Sequence, residues 1–196
     1  MSDADILKDR TDRNAPTFSL SNRVKRLLWQ LTWTLAASWT PPPLHRWRVA
    51  LLNLFGARVD PTAHVYASVE VWAPWNLTIK PYGSLARGVR CYNIAPIVIG
   101  RNSIVSQYAH LCTGTHDYRN ADFRLYAKPI TVGDHAWVCT DTFVGPGVTI
   151  GEGAVLGAAA VAVRDLEPWM VYAGNPAQPR QARPRVIDVS DGRAQR

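Results

Sequence analysis

The sequence predicts an all-β solenoid: a left-handed parallel β-helix of about five three-sided coils, with an N-terminal helical segment and a C-terminal tail. Three observations predict it. First, apolar residues recur every six positions at Val132, Val138, Val144, Ile150, Leu156 and Ala162. Second, Ala136, Thr142, Val148, Ala154 and Ala160 sit four places after the first five of these heads, and Gly133, Gly145, Gly151 and Gly157 follow four heads directly. A helix repeats near 3.6 and a strand near 2.0, so a strict six is neither; it marks a short strand and a turn, three to a coil. Third, the period continues upstream with its errors in one place. Val59/Val65/Val71, Ile79/Leu85/Cys91 and Ile99/Val105/Leu111 are each followed by extra residues, so every insertion falls at the same corner of a triangular prism.

The heads point inward and stack at about 4.8 Å per coil, giving a rod roughly 24 Å tall. Glycine is expected where the turn needs positive φ. Each coil touches only its neighbours, so the ends need covers.

In chain order, residues 1–22 read as a flexible N-terminus and 23–57 as a helical cap. Val24–Ser38 reads as one helix, stopped before Pro41-Pro42-Pro43, and Leu44–Phe55 as a second, with Gly56 past its end. The apolar stretch of the first helix is far shorter than the ~20 residues that span a bilayer. It reads as a cap on the open end of the prism. The alternative is a peripheral membrane-surface contact through Trp29, Trp33, Trp39 and the basic Arg23, Lys25 and Arg26. Residues 58–177 form the solenoid, broken by a loop at 117–131, and 178–196 a basic tail.

Composition narrows the classes. A net charge of +7 invites nucleic acid, but much of the excess sits at Arg180, Arg183, Arg185, Arg193 and Arg196 with no nucleic-acid motif beside it. An arginine cluster equally suits a phosphate-rich small molecule. Three cysteines, one of them the inward head Cys91, indicate no disulfide framework and fit a reducing cytoplasm. The opening MSDADILKDRTDR lacks the hydrophobic segment of a secretory signal.

Chemistry is expected at the interruption. His116 ends its hexad at the mouth of the loop, in Thr113-Gly114-Thr115-His116-Asp117-Tyr118. Imidazole suits proton removal from an alcohol near neutral pH, and a long loop in a regular rod usually has a use. A polar corner residue would look the same, so both readings stand at this point. His64, His110 and His116 share a hexad position but point to different corners, and His135 is mid-hexad, so no metal is expected within one chain. A cross-subunit zinc site of the gamma-class carbonic anhydrase kind is the metal alternative.

The strings WAPWNLTI (72–79), CYNIAPIVIG (91–100), YAHLCTGTHDY (108–118), GDHAWVCTDTFVGPGVTIGEGAVLGA (133–158) and VYAGNPA (171–177) resemble hexapeptide-repeat O-acetyltransferases. Among these, the colanic-acid-biosynthesis acetyltransferases are the most similar, over most of residues 24–177. The resemblance implies acetyl-CoA as co-substrate, a sugar or glycan acceptor in exopolysaccharide biosynthesis, and a homotrimer with its active site between subunits. It makes His116 the general base for an acceptor hydroxyl that attacks the thioester directly, without an acyl-enzyme. Asn93, Asp117 and Trp137 would lie at the acceptor. Thr140, Ala158, Val163, Arg164, Asn175 and Arg180 would lie along coenzyme A. Two departures stand out: Val163 fills a groove position often held by threonine, and Gln178-Pro179 replaces the basic residue usual after Asn-Pro-Ala. That leaves Arg180 or Arg183 to meet phosphates. Asp117 either orients the imidazole or caps a turn, and Cys112 is a rival nucleophile. Trp72, Trp75, Tyr92, Tyr118 and Trp137 offer flat faces for sugar rings or for trimer contacts. A catalytically silent trimeric scaffold is the non-enzymatic alternative. The expected location is cytoplasmic, with the inner membrane face as a variant if the first helix touches lipid.

Overall fold

The computed structural model describes residues 17–119, 121 and 123–185. Of the expected flexible N-terminus 1–22 and basic tail 178–196, residues 1–16 and 186–196, with Arg193 and Arg196, lie outside the described residues, as do Asn120 and Asp122 of the loop, while Leu20–Asn22 already belong to the first helix.

Short strands build three parallel faces. The first aligns Val59, Ile79, Ile99, Val132 and Ile150. The second aligns Val65, Leu85, Val105, Val138, Leu156 and Tyr172. The third aligns Val71, Cys91, Leu111, Val144 and Ala162. Every head read from the period is buried and belongs to one continuous core.

The coil count rises by a partial sixth. Leu166 bridges Ile150, and Met170–Ala173 pairs with Val155–Leu156. The step from Ala162 to Leu166 is four residues instead of six, which hides it from the period. Asp165 Oδ1 accepts from Thr149 N at 2.7 Å where the chain takes that short cut. Gln178–Ala182 then turns back antiparallel on Met170–Ala173, so the first tail residues are a strand covering the upper edge.

The glycine expectation is corrected. Gly133 and Gly151 follow heads without left-handed φ; a Cβ there would meet the next coil's backbone at 2.6 Å. Close stacking of coils excludes the side chain. Positive φ occurs elsewhere, at Gly88, Gly147 and Gly153 and at several non-glycine turn residues including His135 and Asp141.

Two helices close the lower end: α1 (Leu20–Ala36), capped by Ser19 Oγ accepting from Asn22 N, and α2 (His45–Leu54). Val49, Leu51 and Leu52 join the solenoid core. The polar logic is tighter still. Along the strands, N–H groups of one coil donate to the coil above, as Glu70 N does to Val89 O and Trp72 N to Cys91 O. The first coil's carbonyls therefore have no coil below, and buried backbone groups need partners. The cap supplies them: Asn53 Nδ2 donates to Val59 O (2.8 Å), Arg48 Nε to Val65 O (2.6 Å), Trp29 Nε1 to Val71 O (2.7 Å) and Trp33 Nε1 to Ala67 O (3.2 Å). Arg48 is 0% exposed, and its remaining nitrogens donate to Thr40 Oγ1, Pro41 O and Pro42 O. The membrane alternative is thus corrected in its residues. Trp29 and Trp33 face the solenoid, and Arg26 stacks on Trp72 at 4.2 Å; of the aromatics named, only Trp39 faces out.

Candidate active site

The insertions at the corner between the third and first faces form one pedestal. After the first coil, Pro74–Asn76 makes a single 3-10 turn. Asn93, from the second insertion, holds Ala73 at both ends: Oδ1 accepts from Ala73 N (3.0 Å) and Nδ2 donates to Ala73 O (2.6 Å). Asn76 Nδ2 returns the tie by donating to Ile94 O at 2.6 Å. Ile94, Ala95 and Ala127 make a small second core, with Phe18, Trp72, Tyr92 and Leu125 packed on it. The buried Thr113 Oγ1 donates to Tyr92 O (2.8 Å) and accepts from Ala95 N (3.1 Å), fastening the third insertion to the second.

That third insertion is a β-hairpin. Gly114–His116 pairs antiparallel with Leu125–Ala127, setting His116 opposite Leu125. Gly114 sits where a Cβ would come 2.7 Å from Ile94 Cδ1, so glycine lets the hairpin root lie on the pedestal. His116 is exposed, and its Nδ1 lies 2.6 Å from Phe123 O. A carbonyl can only accept, so Nδ1 carries the proton. In the neutral ring Nε2 then holds a lone pair, the arrangement a general base requires. Phe123 adopts φ 46°, a left-handed conformation uncommon for a bulky residue.

Asp117 Oδ1 accepts from Arg119 N at 3.0 Å, a turn-capping bond, while the carbonyl of Phe123 orients the imidazole. Cys112 donates to Gly114 O at 3.2 Å and burial pushes its thiol pKa up, the opposite of an activated thiolate. Asn93 is 0% exposed, with its amide committed to Ala73, so the structure gives it the part of holding the pedestal.

The other named residues divide between two corners. Thr140 and Ala158 follow the second face at equivalent places in successive coils and Asn175 lies one residue past the next such place, Gly174, the corner being stitched by Ala159 N to Thr140 O (2.9 Å) and Val161 N to Gly174 O (3.0 Å). Arg180 reaches this corner from the returning strand: a Cβ on Gly174 would lie 3.5 Å from its Nη2. Its guanidinium has no hydrogen bond or ion pair among the described residues. Arg183 does, donating to His135 O and Gly153 O at 2.9 Å each. Of the two arginines, Arg180 is the one with donors to spare. Val163 and Arg164 are exposed at the hairpin's own corner, on the fifth coil. Trp137 is 45% exposed on the second face, its Nε1 donating to Ser106 Oγ at 2.9 Å. That face is opposite the hairpin corner of the prism, so one protomer does not bring Trp137 to His116.

Among the aromatic faces, Trp72 and Tyr92 are occupied by each other and by Phe18 and Arg26, Trp75 packs beside Gly56, and the Arg119 guanidinium lies over the exposed Tyr118 ring at 5.9 Å; Trp137 stays open. Among the described residues, no three His, Cys, Asp or Glu side chains are grouped to hold a metal ion. Sequence reasoning missed the Phe123 carbonyl, Thr113 and Asn76. Only the two asparagines and the threonine clustered at successive insertions hinted at polar ties there.

No family model matches the chain. It is 40% identical over 160 residues to "Putative colanic acid biosynthesis acetyltransferase WcaF" of Escherichia coli K12, covering 82% of this chain and 88% of that protein. A hexapeptide-repeat-containing acetyltransferase of Vibrio cholerae O1 biovar eltor, complexed with acetyl coenzyme A, superposes with a TM-score of 0.77 at 24% identity, over 94% of this chain and all of that one. A maltose O-acetyltransferase of Clostridium difficile 630 gives 0.76 at 21% identity, over 85% and 90%. The two structures establish the shared fold, and the 40% relative carries the kinship over the same coils and hairpin. The chain is a member of the hexapeptide-repeat acetyltransferases, in the family of the colanic acid biosynthesis acetyltransferase WcaF.

Proposed function

We propose that the protein is an acetyl-CoA-dependent O-acetyltransferase that modifies a sugar hydroxyl during glycan assembly in the cytoplasm. The observation that carries this reading is the His116 Nδ1 to Phe123 O contact at 2.6 Å, which leaves Nε2 open to an incoming hydroxyl. When bound, acetyl-CoA supplies an acyl carbon joined to a good thiolate leaving group. His116 Nε2 takes the acceptor hydroxyl proton as its oxygen bonds to that carbon, and returns the proton to sulfur as the C–S bond breaks.

The side chains at the corner of Thr140, Ala158 and Asn175 fit a long, thin ligand. Ala158 and Ala159 are small and exposed there, and Arg180 has free donors for phosphate at the upper end. Because Trp137 lies on the face opposite the hairpin corner, the reading calls for a neighbouring copy to complete the site, and a homotrimer is the proposed assembly. Trp137 is the open aromatic face for a sugar ring.

The test is thiol release from acetyl-CoA with a panel of sugars, nucleotide sugars and lipid-linked glycans, comparing the wild type with His116→Ala. Acceptor-dependent release falling by about 10²- to 10⁴-fold in the variant supports the reading. Release that survives the substitution overturns His116 as the base, and none with any acceptor overturns the enzymatic reading and favours the scaffold.

A further inference from the structure

Helix α1 is apolar on two sides. One side buries Trp29 and Trp33 against the first coil. The opposite side carries Leu20, Val24, Leu27, Leu28, Leu31 and Leu35, spaced to fall on one face and exposed from 46% at Val24 to 74% at Leu20 and Leu35. A contiguous exposed apolar stripe of this kind marks an interaction surface. Beyond its C-terminal end lie Trp39, 72% exposed, and Trp47; their indole N–H groups donate to Leu35 O (2.8 Å) and Ala36 O (2.7 Å).

Charge identifies the occupant. From Thr17 to Val59 the chain has six cationic side chains, Arg23, Lys25, Arg26, Arg46, Arg48 and Arg58, and no carboxylate. Arg48 and Arg26 are committed to the fold, while Arg23, Lys25, Arg46 and Arg58 are exposed. Arg23 and Lys25 flank the leucine stripe on either side of the helix. A second copy packed stripe to stripe would set these like charges together with no carboxylate in either segment to pair with them. No described helix is long and apolar enough to cross a bilayer, so a lipid contact would lie in the surface plane.

We infer that α1 docks on an anionic bilayer surface, its leucine stripe and Trp39 entering the acyl boundary and Arg23 and Lys25 meeting lipid phosphates. The docked helix is tied to the pedestal. Phe18 lies 4.9 Å from Trp72, Arg26 sits over the same ring, and Trp72 meets Tyr92 edge-on at 5.8 Å. Docking therefore holds the His116 hairpin beside the membrane. This proposal stands or falls on binding alone, whatever the enzymatic reading yields.

The experiment is sedimentation of the full chain with vesicles of phosphatidylglycerol and phosphatidylethanolamine, against phosphatidylcholine alone, with particle size in solution measured by light scattering. Binding to the anionic vesicles only, weakened by salt, is expected. It should be lost in L27E/L31E, with circular dichroism and particle size unchanged. R23Q/K25Q should weaken it roughly thirtyfold, at about 1 kcal/mol per cation near the surface. Absence of vesicle binding, equal binding to phosphatidylcholine, or retention in L27E/L31E overturns the proposal. So does a change of oligomer size in L27E/L31E, which would assign the stripe to a second copy.

Discussion

The helical cap and the hairpin are both departures from the hexapeptide repeat, and they treat polar groups in opposite ways. On the inner side of the cap, buried donors are spent: Arg48, Asn53, Trp29 and Trp33 meet carbonyls of the first coil. At the hairpin, the pedestal is just as fully tied by Asn93, Asn76 and Thr113, yet the side chain it carries is exposed with one nitrogen bonded and the other open. A saturated network builds stability, whereas a rigid support with one unsatisfied group builds a reactive position. The comparison also separates two basic residues that a charge count treats alike. Arg48 is buried and structural, while Arg180 is exposed with donors free.

The contrast can be broken from either side. The largest effect expected is the loss of turnover in His116→Ala, with the unfolding free energy shifting by no more than about 0.5 kcal/mol, as for other exposed positions. Arg48→Met should do the reverse. It leaves Pro42 O without a donor and takes one of two donors from Val65 O and Pro41 O, and should cost about 1–3 kcal/mol in denaturant unfolding while the folded fraction keeps its turnover. Asn93→Ala tests whether the pedestal belongs to both sides. Losing its two bonds to Ala73 should cost about 1–3 kcal/mol and lower kcat as well, because the hairpin rests on that insertion. An effect on stability alone would detach the pedestal from the chemistry.

The smallest effect is a pH dependence. Burial, with Arg48 and His64 adding to it against the pull of Val65 O, lowers the pKa of His45; burial and then Arg90 lower that of His110. Both rings resist protonation in the folded state, so the unfolded chain binds more protons once pH falls below the ordinary value of 6.5. Stability is therefore present above that pH and declines as pH falls through it. Denaturant midpoints at stepped pH should show the decline, and His110→Gln should make it shallower.

The repeat was legible because it is a core pattern: each head must be apolar and must recur at the coil period, and all of them are found where the period puts them. Leu166 escaped because its coil is entered two residues early. The position of His116 at the break was also legible. The group that orients it was not, since a backbone carbonyl at Phe123 leaves no trace in side-chain identity. The cap was legible in the helix ahead of the first coil, but the bonds of Trp29 and Trp33 were not, because their partners are carbonyls left open only by the assembled first coil. Asn93 read as a ligand for the same reason: its partner Ala73 is brought beside it only by stacking of two insertions.

The central claim is that the hairpin turns His116 Nδ1 to the Phe123 carbonyl and leaves Nε2 open, and the tautomer itself can be measured. Nitrogen-15 shifts of the His116 ring, assigned by comparison with His116→Ala and recorded on the deprotonated side of its titration, should show a protonated Nδ1 and an unprotonated Nε2. A ring protonated at Nε2 would contradict the account, because that nitrogen could no longer accept a proton from the acceptor.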